Sequence, residues 1–152
     1  MKKGLLVLVL CSFLLVGCGK TTPAKNETKP EPKADTKKTS LLVCTLDTKH
    51  TVNFNTEMAF SFENDVPVKL GIRYQYDLSG YTEEQRNDFA SAKMCETDSI
   101  KNTLEMTDCQ EGLVGTDYIV KGYSQKMLNQ ANASSSVLKA TYEAQGWTCT
   151  LK

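Results

Sequence analysis

Two stretches of this chain alternate apolar and polar residues over an unusual length, and few folds accommodate both. In 51–62 (TVNFNTEMAFSF) the even positions are Val52, Phe54, Thr56, Met58, Phe60 and Phe62. In 66–78 (VPVKLGIRYQYDL) they are Val66, Val68, Leu70, Ile72, Tyr74, Tyr76 and Leu78. A strand turns successive side chains to opposite faces, so each stretch reads as a strand with one buried face. The turn between them is constrained by parity. A two-residue loop at Asn64-Asp65 would pair Phe62 with Pro67 and send the two apolar sets to opposite faces. A three-residue loop over 64–66 instead pairs Phe60 with Leu70, Met58 with Ile72 and Phe54 with Tyr76. That register also sets Glu57 opposite Arg73 on the wet face, a favourable cross-strand pair.

Weaker strands flank this hairpin. In 41–47, Leu42, Cys44 and Leu46 share a face; in 147–151, Trp147, Cys149 and Leu151 share one and Thr148 and Thr150 the other. The tetrapeptides Val43-Cys-Thr-Leu46 and Thr148-Cys-Thr-Leu151 suggest equivalent edge environments. A second hairpin is predicted between Glu105 and Tyr123, turning near Gly115. Thr82-Glu-Glu-Gln85 has the form of a capping box and opens a helix running to about Asp98. That helix is expected to present Gln85, Phe89, Ala92 and Cys95, or their neighbours, to the sheet. A second helical stretch starts at Ser124, falters near Asn132 and resumes from Ser134 to Gln145, with Gly146 as its cap. The order βββ-α-ββ-α-β makes the domain α+β, an antiparallel sheet with helices packed on one face.

The N-terminus has a different character. Met1-Lys2-Lys3 is followed by an uncharged run of 14 residues from Gly4 to Gly17, shorter than the ~20 that span a bilayer and suited to a secretory signal. Leu15-Val16-Gly17-Cys18 resembles the lipobox of bacterial lipoprotein signal peptides. The resemblance implies a signal peptide over 1–17, with Cys18 becoming the first mature residue and carrying a thioether-linked diacylglycerol, often with a further acyl (palmitate-type) chain. Burial of two or more acyl chains anchors a protein stably. No cofactor beyond this covalent lipid is expected. Residues 19–40 hold six Lys, three acids and three Pro and lack any aromatic residue. Too little apolar surface is available there to offset ordering, so 18–40 reads as a lipid-anchored, disordered tether. The single folded domain is then 41–152.

The cysteine count supports this division. Of Cys11, Cys18, Cys44, Cys95, Cys109 and Cys149, the first leaves with the signal and the second is taken by lipid. Four remain, as an exported disulfide framework requires. A zinc site would want a Cys-x₂-Cys pair, which the chain lacks. Four cysteines allow three pairings; we favour Cys95–Cys109, tying the first helix to the next strand, and Cys44–Cys149, joining the two terminal strands.

A lipobox, a Lys/Thr-rich tether, a Cys-Thr strand, a long amphipathic hairpin, a capped helix ending in cysteine and a terminal Gly146-Trp147-Thr148-Cys149 together resemble the YehR-like group of small bacterial lipoproteins. The resemblance implies an α+β domain and no catalytic residue to carry over.

Chemistry is sparse. Residues 41–152 carry 10 basic against 15 acidic residues, hence −5, which argues against nucleic acid as partner. His50, the single histidine, falls in the turn after Asp47, where a solvated side chain suffices as explanation. Glu83 and Glu84 sit where a helix dipole favours acids. Asp108, Glu111 and Asp117 could gather around a cation but follow no EF-hand pattern. Phe54, Phe60, Phe62, Tyr74 and Tyr76 would stack on sugars if exposed, yet their periodicity assigns them to the core. No Gly-x-Ser-x-Gly elbow or phosphate-cradling loop is present. The reading is a membrane-anchored, extracytoplasmic and monomeric lipoprotein whose domain binds an envelope protein or cell-wall component without catalysis. A small-ligand-binding lipoprotein and a carboxylate-based hydrolase are the alternatives.

Overall fold

The period-two stretches become neighbouring strands of a six-stranded antiparallel sheet. A computed structural model describes residues 37–152. The expected signal peptide, the expected lipidation at Cys18 and the expected tether as far as residue 36 lie outside the described residues. The strands are β1 (Thr39–Thr48), β2 (Phe54–Glu63), β3 (Val66–Asp77), β4 (Met106–Val114), β5 (Asp117–Ser124) and β6 (Thr148–Leu151). Their order across the sheet is β4-β5-β3-β2-β1-β6. The helices are α1 (Glu83–Ser91), α2 (Gln125–Gln130) and α3 (Ser135–Ala144). Thr39 and Ser40 pair with Glu63 and Phe62, so the sheet begins two residues before the expected domain start.

The β2–β3 register is the expected one through its core: Phe54 lies opposite Tyr76, Glu57 opposite Arg73, Met58 opposite Ile72 and Phe60 opposite Leu70. The loop differs. The chain turns through Asn64 and Asp65 alone, with φ of 50° and 63°, the left-handed pair of a type I′ turn. Phe62 therefore does pair with Pro67. Between there and Ser61, which lies opposite Lys69, the register shifts by one and leaves Val68 as the extra residue of a β-bulge. The bulge supplies the odd residue that a three-residue loop would have supplied, and both apolar sets return to one face.

Both disulfides, Cys44–Cys149 and Cys95–Cys109, are formed. Cys44 and Cys149 are registered partners with Cα atoms 4.1 Å apart. The matching tetrapeptides therefore face each other, with β1 interior and β6 at the edge; their environments are not equivalent, because a cross-strand disulfide requires adjacent strands.

α1 opens as expected: the Thr82 hydroxyl accepts from the Gln85 amide and the Gln85 side chain accepts from the Thr82 amide. It ends seven residues before Asp98, at Ser91. Lys93 takes a left-handed φ of 44°, and a 3-10 turn (Met94–Glu96) and one π turn (Ser99–Thr103) follow. The chain leaves the helix axis because Cys95 must reach Cys109 on β4, and its amide is held there by the Glu111 carboxylate at 3.0 Å. Gln85 is consumed by the cap and stays exposed, whereas Phe89 and Cys95 pack toward the sheet as expected, with Ala90 beside them. The second helical stretch divides as expected, with Ser124 capping α2 and Ser134 capping α3. Gly146, at φ +88°, closes α3 with its amide bonded to the Glu143 carbonyl and that of Trp147 to Tyr142, the positive φ that favours glycine at this position.

All three helices cover one face of the sheet. Under α2 and α3 lie Leu42, Cys44, Met58, Phe60, Phe62, Leu70 and Ile72; under α1 lie Leu78, Tyr118 and Val120, with Tyr74 touching both groups. The aromatic residues weighed as a sugar platform sit on this covered face. Phe60 and Phe62 are fully buried, and Tyr76 packs between Phe54 and Phe89 at centroid distances of 5.4 Å each.

Candidate functional site

One-sided packing leaves the other face of the sheet uncovered, and the register dictates what it displays. Side chains opposite one another across antiparallel strands share a face, so the pairings generate rows. The central row runs Thr148, Thr45, Glu57, Arg73, Lys121 and Gln110 from β6 to β4. Beside it runs Thr150, Val43, Ala59, Gly71, Tyr123 and Thr107. Small residues in the middle of the second row make a floor, and the Tyr123 ring lies over Gly71, where an added Cβ would stand 3.8 Å from it. Lys69 holds its Nζ 3.9 Å from the Tyr123 ring centroid, a cation–π contact that fixes the ring's outer face.

The result is a shallow depression of about 270 Å³, lined by Glu57, Ala59, Gly71, Arg73, Lys121 and Tyr123, with Asp108 and Gln110 on its rim. Three cations, Lys69, Arg73 and Lys121, gather on a domain that is acidic as a whole. Glu57 and Arg73 are opposite in register, but their charged atoms do not close to ion-pair distance. The ion pairs among the described residues are Lys37–Glu63, Lys93–Glu96, Lys126–Glu105 and Lys139–Glu143, all elsewhere. Arg73 and Lys121 thus keep their donors available to a partner.

A bulge shapes the β4 rim. Thr107 pairs with Tyr123 and Gln110 with Lys121, so Asp108 and Cys109 together oppose Gly122. A Cβ on Gly122 would meet the Thr107 carbonyl oxygen at 2.8 Å and the Cys109 Cα at 3.3 Å; only glycine permits this approach.

The acids weighed as a cation site are not brought together. Glu111 points to the helix-covered face, accepting from the Tyr118 hydroxyl at 2.8 Å and from the Cys95 amide. Asp117 accepts from the Gln75 side chain, and Asp108 stands exposed at the bulge. No group of three metal-ligating side chains occurs among the described residues. Burial, reinforced by the Glu111 bond, pushes the Tyr118 hydroxyl far above its ordinary value, so it serves as a neutral donor to Glu111. Asp65 and Asp77 are displaced the other way, below the usual carboxylate range, by hydrogen bonds from Ser135 and Ser79. A general acid needs the opposite displacement. His50 is exposed in the turn after β1, and Glu83 and Glu84 occupy the first turn of α1.

Sequence reasoning passed over Arg73, Lys121 and Tyr123. Arg73 was visible only as half of a cross-strand pair, and the others lay on a strand whose neighbours the sequence did not specify. No helix among the described residues is long and apolar enough to cross a membrane. No family model matches the chain, and no curated protein matches it. Among solved structures, the NMR structure of a protein from Streptococcus pneumoniae TIGR4 is similar, with a TM-score of 0.48 and 12% identity over 88% of this chain and 100% of that one, a likeness too slight to support any reading of this chain.

Proposed function

We propose that the protein is a lipoprotein anchored through Cys18 to the extracytoplasmic face of a cell membrane, and that its domain binds an envelope protein or wall component without catalysis. Its resemblance to lipobox proteins and to the YehR-like group supports the anchor. The observation that supports the binding role is the uncovered sheet face, where Arg73, Lys121 and Tyr123 present unpaired cations and an aromatic ring over a floor of small residues. The surface depressions described, of about 270 to 520 Å³, are open troughs. A small ligand typically buries about 70–90% of its surface, so such troughs suit a macromolecular partner better than a small molecule.

The test is cross-linking in intact cells with the full-length chain and its Arg73→Glu/Lys121→Glu variant. The wild type is expected to give a discrete cross-linked species that the variant loses. Equal cross-linking by the two would overturn the open face as binding surface. In parallel, Cys18→Ser is expected to abolish lipid attachment and leave uncleaved or mislocalised precursor; normal membrane retention would overturn the anchor.

A further inference from the structure

The described chain begins at one end of the sheet, and that end differs from the rest of the surface. The Lys38 amide donates to the Asn64 side chain at 3.1 Å, the Asn64 amide returns to the Lys38 carbonyl at 2.7 Å, and Lys37 pairs with Glu63 at 2.6 Å. The incoming chain is therefore tied to the tip of the β2–β3 hairpin. Leu41 and Lys152 exchange two backbone hydrogen bonds of 2.9 Å, which brings the end of β6 to the same place. The Ser135 amide donates to Asp65 at 2.9 Å and adds the first turn of α3.

Four of the seven exposed large apolar side chains among the described residues belong to these segments: Val66 (55% exposed), Val137 (53%), Val68 (43%) and Leu151 (42%). Two of the others, Leu113 and Val114, lie at the β4–β5 turn at the opposite end. Lys37, Lys38, Lys69 and Lys152 accompany the apolar group. Lys37 and Glu63 cancel each other as an ion pair, and Asp65 keeps its charge while accepting from the Ser135 amide, so Lys38, Lys69 and Lys152 still outnumber it. Exposed aliphatic side chains ringed by lysines are the composition that inserts shallowly into an anionic lipid interface.

We propose that this end of the domain rests on the membrane surface, with Val66 and Val68 dipping into the headgroup region of anionic lipids. The inference rests on the Cys18 anchor. The tether the sequence predicts, about 20 residues with a root-mean-square span of about 25 Å, delivers the chain to this end of the sheet and no other. So short a link holds the domain at an effective concentration of about millimolar relative to the surface, so a weak patch suffices. β1 and β3 run away from the lysine-rich end, so the strands stand up from the membrane. The open face then looks along it, toward partners in the same layer of the envelope.

The test uses the full chain extracted from membranes with its lipid and reconstituted into vesicles of phosphatidylcholine and phosphatidylglycerol with brominated acyl chains, which quench tryptophan at close range. Val66→Trp and Val114→Trp are compared, with the signal of the native Trp147 subtracted from each. The expected result is at least about twofold stronger quenching at position 66, with the contrast shrinking as salt screens the lysines. Should Val66→Trp lower stability, Val68→Trp gives a second reading at the same end. Equal quenching at both ends in a lipidated chain overturns the resting pose and leaves the anchor standing. A Cys18 peptide whose mass shows no lipid overturns both.

Discussion

Asp65 illustrates how much one side chain settles. It occupies a left-handed turn position, where Asp is tolerated better than most residues, and its carboxylate receives the Ser135 amide across 70 residues of chain. Hydrogen bonding from Ser135 holds its pKa below the ordinary 3.8. A carboxylate depressed in the folded state contributes stability that is present above the unfolded pKa and lost as pH falls through the folded one. Asp65→Asn is therefore expected to melt below wild type at neutral pH, and the gap should close as pH drops below 3.8. Paired thermal melts across the acid range measure this; a gap independent of pH would rule out the ionised carboxylate as its source. Asn64-Asp65 is readable as a turn from sequence, whereas the contact with Ser135 is not, because nothing local links residues so far apart.

At the scale of elements, the β2–β3 hairpin shows how a correct register can arise from a different loop. Alternation specified which residues share a face, and parity then demanded one odd residue between the strands. That residue is Val68, placed in a bulge rather than in the turn. Deleting Val68 should leave Asn64-Asp65 as a two-residue turn and restore unbroken alternation, with Ser61 still facing Lys69. The expected cost is below about 1 kcal/mol, the range of most surface changes, measured by urea unfolding. A loss of several kcal/mol would mean that the bulge itself is required. α1 was less legible. Its capping box marks its start, but its end is set by the reach of Cys95 to Cys109 and by Glu111, both contacts with a strand not yet formed when the helix pattern is read.

For the whole molecule, the two disulfides close loops of very different length, with separations of 105 and 14 residues. On the chain-entropy model, loss of Cys44–Cys149 should cost about 4.7 kcal/mol and loss of Cys95–Cys109 about 3 kcal/mol. Double Cys→Ala variants unfolded in urea should rank in that order; the reverse order would mean that native packing, not chain entropy, dominates. The pairing was accessible from sequence because an even set of cysteines fell on elements expected to meet. The open face was not accessible. Period-two alternation identifies the polar side of a strand, and every polar side looks alike until the strands are ordered. Thus Glu57 and Arg73 could be paired in advance, while Lys121 and Tyr123 joined them only when β5 came to lie beside β3. By itself the sequence determined the faces of its strands, the start of each helix and the likeness of its first residues to a lipobox, because these follow from local backbone geometry and short spacings. Only the tertiary structure decided the strand order, the uncovered face and the gathering of Val66, Val68, Val137 and Leu151 at one end. Those depend on contacts between distant segments, where a one-residue bulge or a disulfide outweighs local preference.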